Sequence, residues 1–213
     1  MRNIEIVLLH GLGGDRNSML PVGRRLCRRL PGGKHLSVEG DYRGFPTGKP
    51  ELGWFYPPTD SDRRVHVEGR GVPTNLDAAL KRVHAALDLL VDAGTPADNI
   101  FLVGHSQGGA MAMVAGLTYR RPLGGVCSIA GYLVLPAGAL PAPQPTPYFL
   151  QHANQDPIVT VRWAHYAAQY LADQQLSCEL RCWDLDQNPH AIDPRMVDAI
   201  SGWICSRREC DAA

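Results

Sequence analysis

The chain has 213 residues, with 21 Lys and Arg balanced by 21 Asp and Glu, and 45% of its residues are hydrophobic. That length and apolar content suit one globular domain, 1–213, and exclude a disordered chain. Nothing in the zero net charge points to nucleic acid or an anionic membrane, and no apolar run is long enough to span a bilayer.

The first predicted element is a strand over 4–9, "IEIVLL", which ends in His-Gly and a glycine-rich turn. Its short apolar run, interrupted by Glu5 and followed by no small-residue cleavage site, argues against a secretory leader. A cytoplasmic protein is therefore expected. A helix over 18–30 follows, with Leu20, Gly23, Leu26, Cys27 and Leu30 on one face. Arg24, Arg25, Arg28 and Arg29 share the other, read as a solvated face.

Residues 31–73 are rich in Gly, Pro and charge and are expected to be irregular, a length that usually signals a working loop. Thr74 is placed as the cap of a helix carrying Leu76, Leu80, Val83, Leu87 and Leu90 at helical period, stopped by Gly94 and Pro96. A buried strand, "NIFLVGHS", then runs directly into a helix over 107–120. Further elements are a strand over 124–133, a Pro-rich connection over 136–147, strands over 148–153 and 177–185, and helices over 161–173 and 194–207. Near-continuous apolar strands alternating with helices predict an α/β fold, a mostly parallel sheet with helices on both faces.

One junction carries chemistry. "GHSQG", 104–108, fits G-x-S-x-G at a strand-to-helix turn. A turn that sharp strains the serine backbone, and Gly104 and Gly108 remove the side chains that would collide. The hydroxyl of Ser106 then projects from the corner at a helix N-terminus, which favours developing negative charge. A hydroxyl needs a base, and the base an orienting carboxylate, in the chain order Ser, acid, His. Asp156, just past the 148–153 strand, and His190, between the last strand and the last helix, meet those needs. Asp184 and Asp186 are rivals for the acid, whereas His35, His66, His84 and His165 are read as ordinary surface or core histidines. The oxyanion hole requires two backbone N–H groups. Gln107 supplies one, and "LHGLGGD" after the first strand supplies the other at Leu12, with His10 shaping that loop. On this scheme the rate rises with pH as His190 loses its proton.

The six cysteines, Cys27, Cys127, Cys178, Cys182, Cys205 and Cys210, match no common zinc spacing and are expected as free thiols, a Cys205–Cys210 bond being left open.

"LHGLGGD", "GWF", "GHSQGG", "HANQDPIV" and "PHAIDPRMVDAISGWI", in that order, resemble the phospholipase/carboxylesterase group of α/β-hydrolases, which contains the acyl-protein thioesterases. The resemblance implies a single-domain α/β-hydrolase cleaving carboxylic esters or thioesters, with no metal or organic cofactor. It implies that Trp54, Phe55 and Tyr132, in the last case through the 131–146 connection, border the acyl pocket. Expected partners are a small-molecule ester or thioester, with no nucleic acid and no integral membrane contact, a homodimer being left open. A lysophospholipase-type lipid esterase and a non-catalytic hydrolase-fold binding protein are the alternatives. The group commonly has Phe before Ser-Gln-Gly-Gly and Gly after the histidine that precedes the acid; here those positions are His105 and Ala153. The charged segment 57–73 argues against a strongly lipid-like substrate.

Overall fold

The computed structural model describes residues 3–43, 52–56, 75–137 and 140–208. Among them, six strands form one sheet: β1 (Glu5–Leu9), β2 (Lys34–Val38), β3 (Ile100–His105), β4 (Gly125–Ile129), β5 (Tyr148–Ala153) and β6 (Cys178–Trp183). Their order is β2-β1-β3-β4-β5-β6, and every ladder is parallel. The five helices are α1 (Leu20–Arg29), α2 (Leu76–Asp92), α3 (Gln107–Thr118), α4 (Arg162–Asp173) and α5 (Pro194–Arg208).

Side chains of a strand alternate between the two faces of its sheet, so a doubly covered strand must be apolar throughout. In β1, Val7 and Leu9 join a core with α2, α3 and α4, while Ile6 and Leu8 join another with α1 and α5. The central strands β1, β3, β4 and β5 are buried almost throughout, whereas the edge strands β2 and β6 are only half covered. Helix α3 is buried from Gln107 to Leu117, which explains its run of small and apolar residues on every side.

Two expectations need correction. The 31–73 stretch is not wholly irregular, because Lys34–Val38 pairs in parallel with β1. An edge strand bonded on one side and half exposed has no need of a continuous apolar run, so "KHLSV" lacks the signal of its neighbours. The strand expected over 124–133 stops at Ile129, where Ala130 adopts φ 51° and turns the chain out of the sheet. Thr74, His66, Cys210 and the charged segment 57–73 lie outside the described residues; α2 begins at Leu76 behind Asn75. The arginine face of α1 is partly tied down: Arg25 makes two hydrogen bonds to Asp198 at 2.6 and 2.7 Å and Arg29 a third at 3.0 Å, linking α1 to α5. Cys27, Cys127, Cys178 and Cys182 are free thiols. No described helix is long and apolar enough to cross a membrane.

Because all six strands run the same way, the loops after β1, β3, β5 and β6 emerge at one edge of the sheet. That edge is where parallel sheets present their sites, and it carries residues 10–14, Ser106, Asp156 and His190.

Candidate active site

Ser106 stands between β3 and α3 at φ 53°, ψ −119°, a conformation L-residues rarely adopt. The neighbouring glycines make it attainable. A Cβ on Gly104 would lie 2.1 Å from the Gly108 carbonyl oxygen, and one on Gly108 would lie 2.2 Å from that of Leu9. The Ser106 N–H donates to the Ile129 carbonyl at 2.8 Å, and its carbonyl accepts from Ala110 N–H at 3.0 Å, so both sides of the corner are pinned.

The structure brings Ser106, His190 and Asp156 together. His190 Nε2 is 3.0 Å from Ser106 Oγ, and His190 Nδ1 is 2.8 Å from Asp156 Oδ2. The carboxylate accepts, so Nδ1 carries the proton and Nε2 is free to accept from the hydroxyl. The rival acid Asp184 instead accepts from Asn154 Nδ2 at 2.8 Å and Gln155 Nε2 at 3.1 Å, on the surface.

Asp156 is held as an anion. Burial alone would raise its pKa. Hydrogen bonds from His152, His190 and the N–H groups of Val159 and Ile158 outweigh that and keep it well below the usual carboxylate range. Its Oδ1 accepts from Ile158 N–H at 2.8 Å and Val159 N–H at 3.0 Å, leaving Oδ2 for His190. His152, in β5, lies 3.4 Å from the same oxygen and donates Nε2–H to the Val159 carbonyl at 2.6 Å. It thereby holds the loop that carries the acid.

The loop after β1 is fixed by His10, which is fully buried. His10 donates Nδ1–H to the Gly11 carbonyl at 2.8 Å and accepts the Gly40 N–H on Nε2 at 3.0 Å. Both ring nitrogens are thus engaged in shaping the loop. Leu12, next in that loop, is 46% exposed. Gln107 heads α3, and its side chain has a job that the sequence does not reveal: Oε1 accepts the Trp54 N–H at 2.9 Å and Nε2–H donates to the Phe55 carbonyl at 2.7 Å. Trp54 also donates Nε1–H to the His10 carbonyl at 2.8 Å and packs its ring on the His10 imidazole. Trp54, Phe55 and Tyr132 are all buried, with the Phe55 and Tyr132 rings edge to face at 6.5 Å. Among the described residues, no three His, Cys, Asp or Glu side chains gather as a metal ion would require.

A family model described as phospholipase/carboxylesterase matches residues 3–206. The chain belongs to that family. Among the proteins it is similar to, acyl-protein thioesterase 1 of Neurospora crassa is 38% identical over 130 residues, 58% of this chain and 52% of that protein. Acyl-protein thioesterase 1 of Cryptococcus neoformans is 25% identical over 226 residues, 93% of this chain and 90% of that protein. Several of these matches, that from Neurospora crassa included, span only about half the length of the relative. The crystal structure of Arabidopsis thaliana SOBER1 superposes with a TM-score of 0.80 at 23% identity, covering 97% of this chain and 99% of that one, which establishes the shared fold.

Within this phospholipase/carboxylesterase chain, the histidine preceding the serine now has a partner. His105 Nε2 is 2.7 Å from the His190 carbonyl oxygen. No sequence signal reveals that contact, because it joins residues 85 positions apart across two loops.

Proposed function

We propose that the chain is a serine hydrolase that cleaves carboxylic esters or thioesters through an acyl-enzyme on Ser106. The single observation that carries this reading is the continuous hydrogen-bonded line Ser106–His190–Asp156, at 3.0 and 2.8 Å, with the serine on its strained corner.

His190 Nε2 takes the Ser106 proton as Oγ attacks the acyl carbon, and Asp156 stabilises the imidazolium. The N–H groups of Leu12 and Gln107 receive the oxyanion. Collapse of the tetrahedral intermediate expels the alcohol or thiol, protonated by His190. Water, activated by the same imidazole, then releases the acid. Leu12 and Ile158, on the loops after β1 and β5, carry exposed apolar side chains, which supports an acyl substrate. Trp54, Phe55 and Tyr132 are buried, so they act on substrate indirectly, by holding Gln107 and its neighbours in place.

A graded panel of acyl esters and thioesters, assayed on wild type and Ser106→Ala, tests the proposal. Hydrolysis by wild type alone is expected. No hydrolysis across the whole panel would favour a binding protein built on the same fold.

A further inference from the structure

We infer that His105 is a positioning residue that sets His190 through the His190 backbone carbonyl. The inference rests on the reading of His190 as the general base.

His105 is the last residue of β3, so its backbone is fixed in the centre of the sheet by pairing with Ile129 of β4. A carbonyl oxygen can only accept, so the 2.7 Å contact places a proton on His105 Nε2. The ring also lies against the His190 ring, centroids 5.1 Å apart and planes at 49°. On its other side it approaches the loop after β1, where a methyl group on Gly11 would lie 3.2 Å from Nδ1. His105 therefore sits between the loop that offers Leu12 and the loop that carries His190.

The segment 184–192 needs such a support. It belongs to no strand or helix, and Asn188 within it has φ 44°. Among the described residues its backbone N–H groups make two hydrogen bonds, Ala191 N–H to the Asn188 carbonyl at 2.9 Å and Leu185 N–H to Gln155 Oε1 at a long 3.5 Å. His190 is gripped at two ends, its imidazole by Asp156 Oδ2 and its main chain by His105. The first grip, with the Ser106 Oγ contact at 3.0 Å, sets the tautomer and the line of the ring but leaves the main chain from which it hangs unanchored. The second ties that main chain to the strand that leads into Ser106. The nucleophile and its base are thereby referenced to the same strand end.

Three substitutions test this, with p-nitrophenyl butyrate as substrate and thermal unfolding as the check on folding. His105→Phe fills the volume and offers the carbonyl no donor. His105→Gln places an amide N–H near the former Nε2, and His105→Asn places one near the former Nδ1. We expect kcat to fall roughly tenfold to a hundredfold in His105→Phe, as for a misplacement of about 1 Å, with KM within about twofold of wild type because a residue that acts only through His190 leaves uniform substrate binding unchanged. His105→Gln should recover most of the loss and His105→Asn little. Wild-type kcat in a folded His105→Phe, or equal kcat in the Gln and Asn variants, would overturn the inference. Should His105→Phe not fold, the Gln and Asn pair decides alone. A wild type with no activity, and with Ser106 unreactive to a fluorophosphonate, is a separate result that would remove the esterase reading and this inference with it.

Discussion

Gln107 donates its side-chain Nε2–H to the Phe55 carbonyl at 2.7 Å, and the same amide accepts the Trp54 N–H at 2.9 Å. The residue whose backbone N–H is assigned to the oxyanion thus locks a buried segment with its side chain. Gln107→Ala leaves a buried donor and a buried acceptor without partners, each costing about 1–3 kcal/mol. Urea unfolding should show a loss of about 2–6 kcal/mol, with reduced kcat in the folded fraction. Stability within about 0.5 kcal/mol of wild type would mean that the 54–55 segment is held by packing alone.

Asp156→Asn preserves shape but not tautomer. Its Oδ1 can still accept from Ile158 and Val159 N–H, which leaves the Nδ2 amide facing His190 Nδ1 and His152 Nε2. Two donors then confront each other, and His190 is driven to carry its proton on Nε2, where it cannot accept from Ser106. A fall in kcat on the order of 10³–10⁴ is expected by analogy with the same change in other serine triads, with unfolding still cooperative. A fall of less than about tenfold would show that Asp156 does not orient the base.

Stability should depend on pH in the mildly acid range. Burial lowers the His105 pKa from 6.5 to about 4; the bond to the His190 carbonyl and the charge of Asp156 act the other way, and the charges of His190 and His152 add to the lowering. Between those values the unfolded imidazole binds a proton that the folded one refuses. The contribution is present in full above about pH 6.5 and is lost as pH falls towards about 4, amounting to about 3 kcal/mol. Burial lowers His10 and His84 too, so they act with the same sign. Unfolding free energies at pH 7.5 and pH 5 should differ by less in His105→Gln than in wild type. Equal differences would place the acid sensitivity elsewhere.

The serine corner should tolerate no methyl group. In Gly104→Ala the new Cβ meets the Gly108 carbonyl oxygen at 2.1 Å, and in Gly108→Ala it meets that of Leu9 at 2.2 Å; both clashes are with backbone that the sheet and α3 hold in place. Each should cost more than about 3 kcal/mol or prevent folding. Gly202→Ala is the contrast, since its Cβ meets nothing within 4 Å on the exposed side of α5. It should stabilise by about 0.5–1 kcal/mol, and thermal unfolding separates the two outcomes.

The sequence made the central sheet readable because strands buried on both faces must be apolar throughout, as "IVLL" and "FLV" are. It made β2 unreadable for the converse reason: "KHLSV" bonds on one side only and is half exposed. Chain order and strand ends pointed to Ser106, Asp156 and His190, and the structure brings those three together while leaving Asp184 with Asn154 and Gln155. The supports of that line were not legible. His105, His152 and the Gln107 side chain all act on main-chain atoms of other loops, and a main-chain carbonyl leaves no mark in a sequence.

The central claim is that Ser106 is a nucleophile activated by His190. Its most direct test is intact-mass and peptide analysis after incubation with a fluorophosphonate. One adduct per chain, located on Ser106, absent from Ser106→Ala and strongly slowed in His190→Ala, is the predicted result. An unlabelled wild type, or equal labelling of Ser106→Ala, would contradict it.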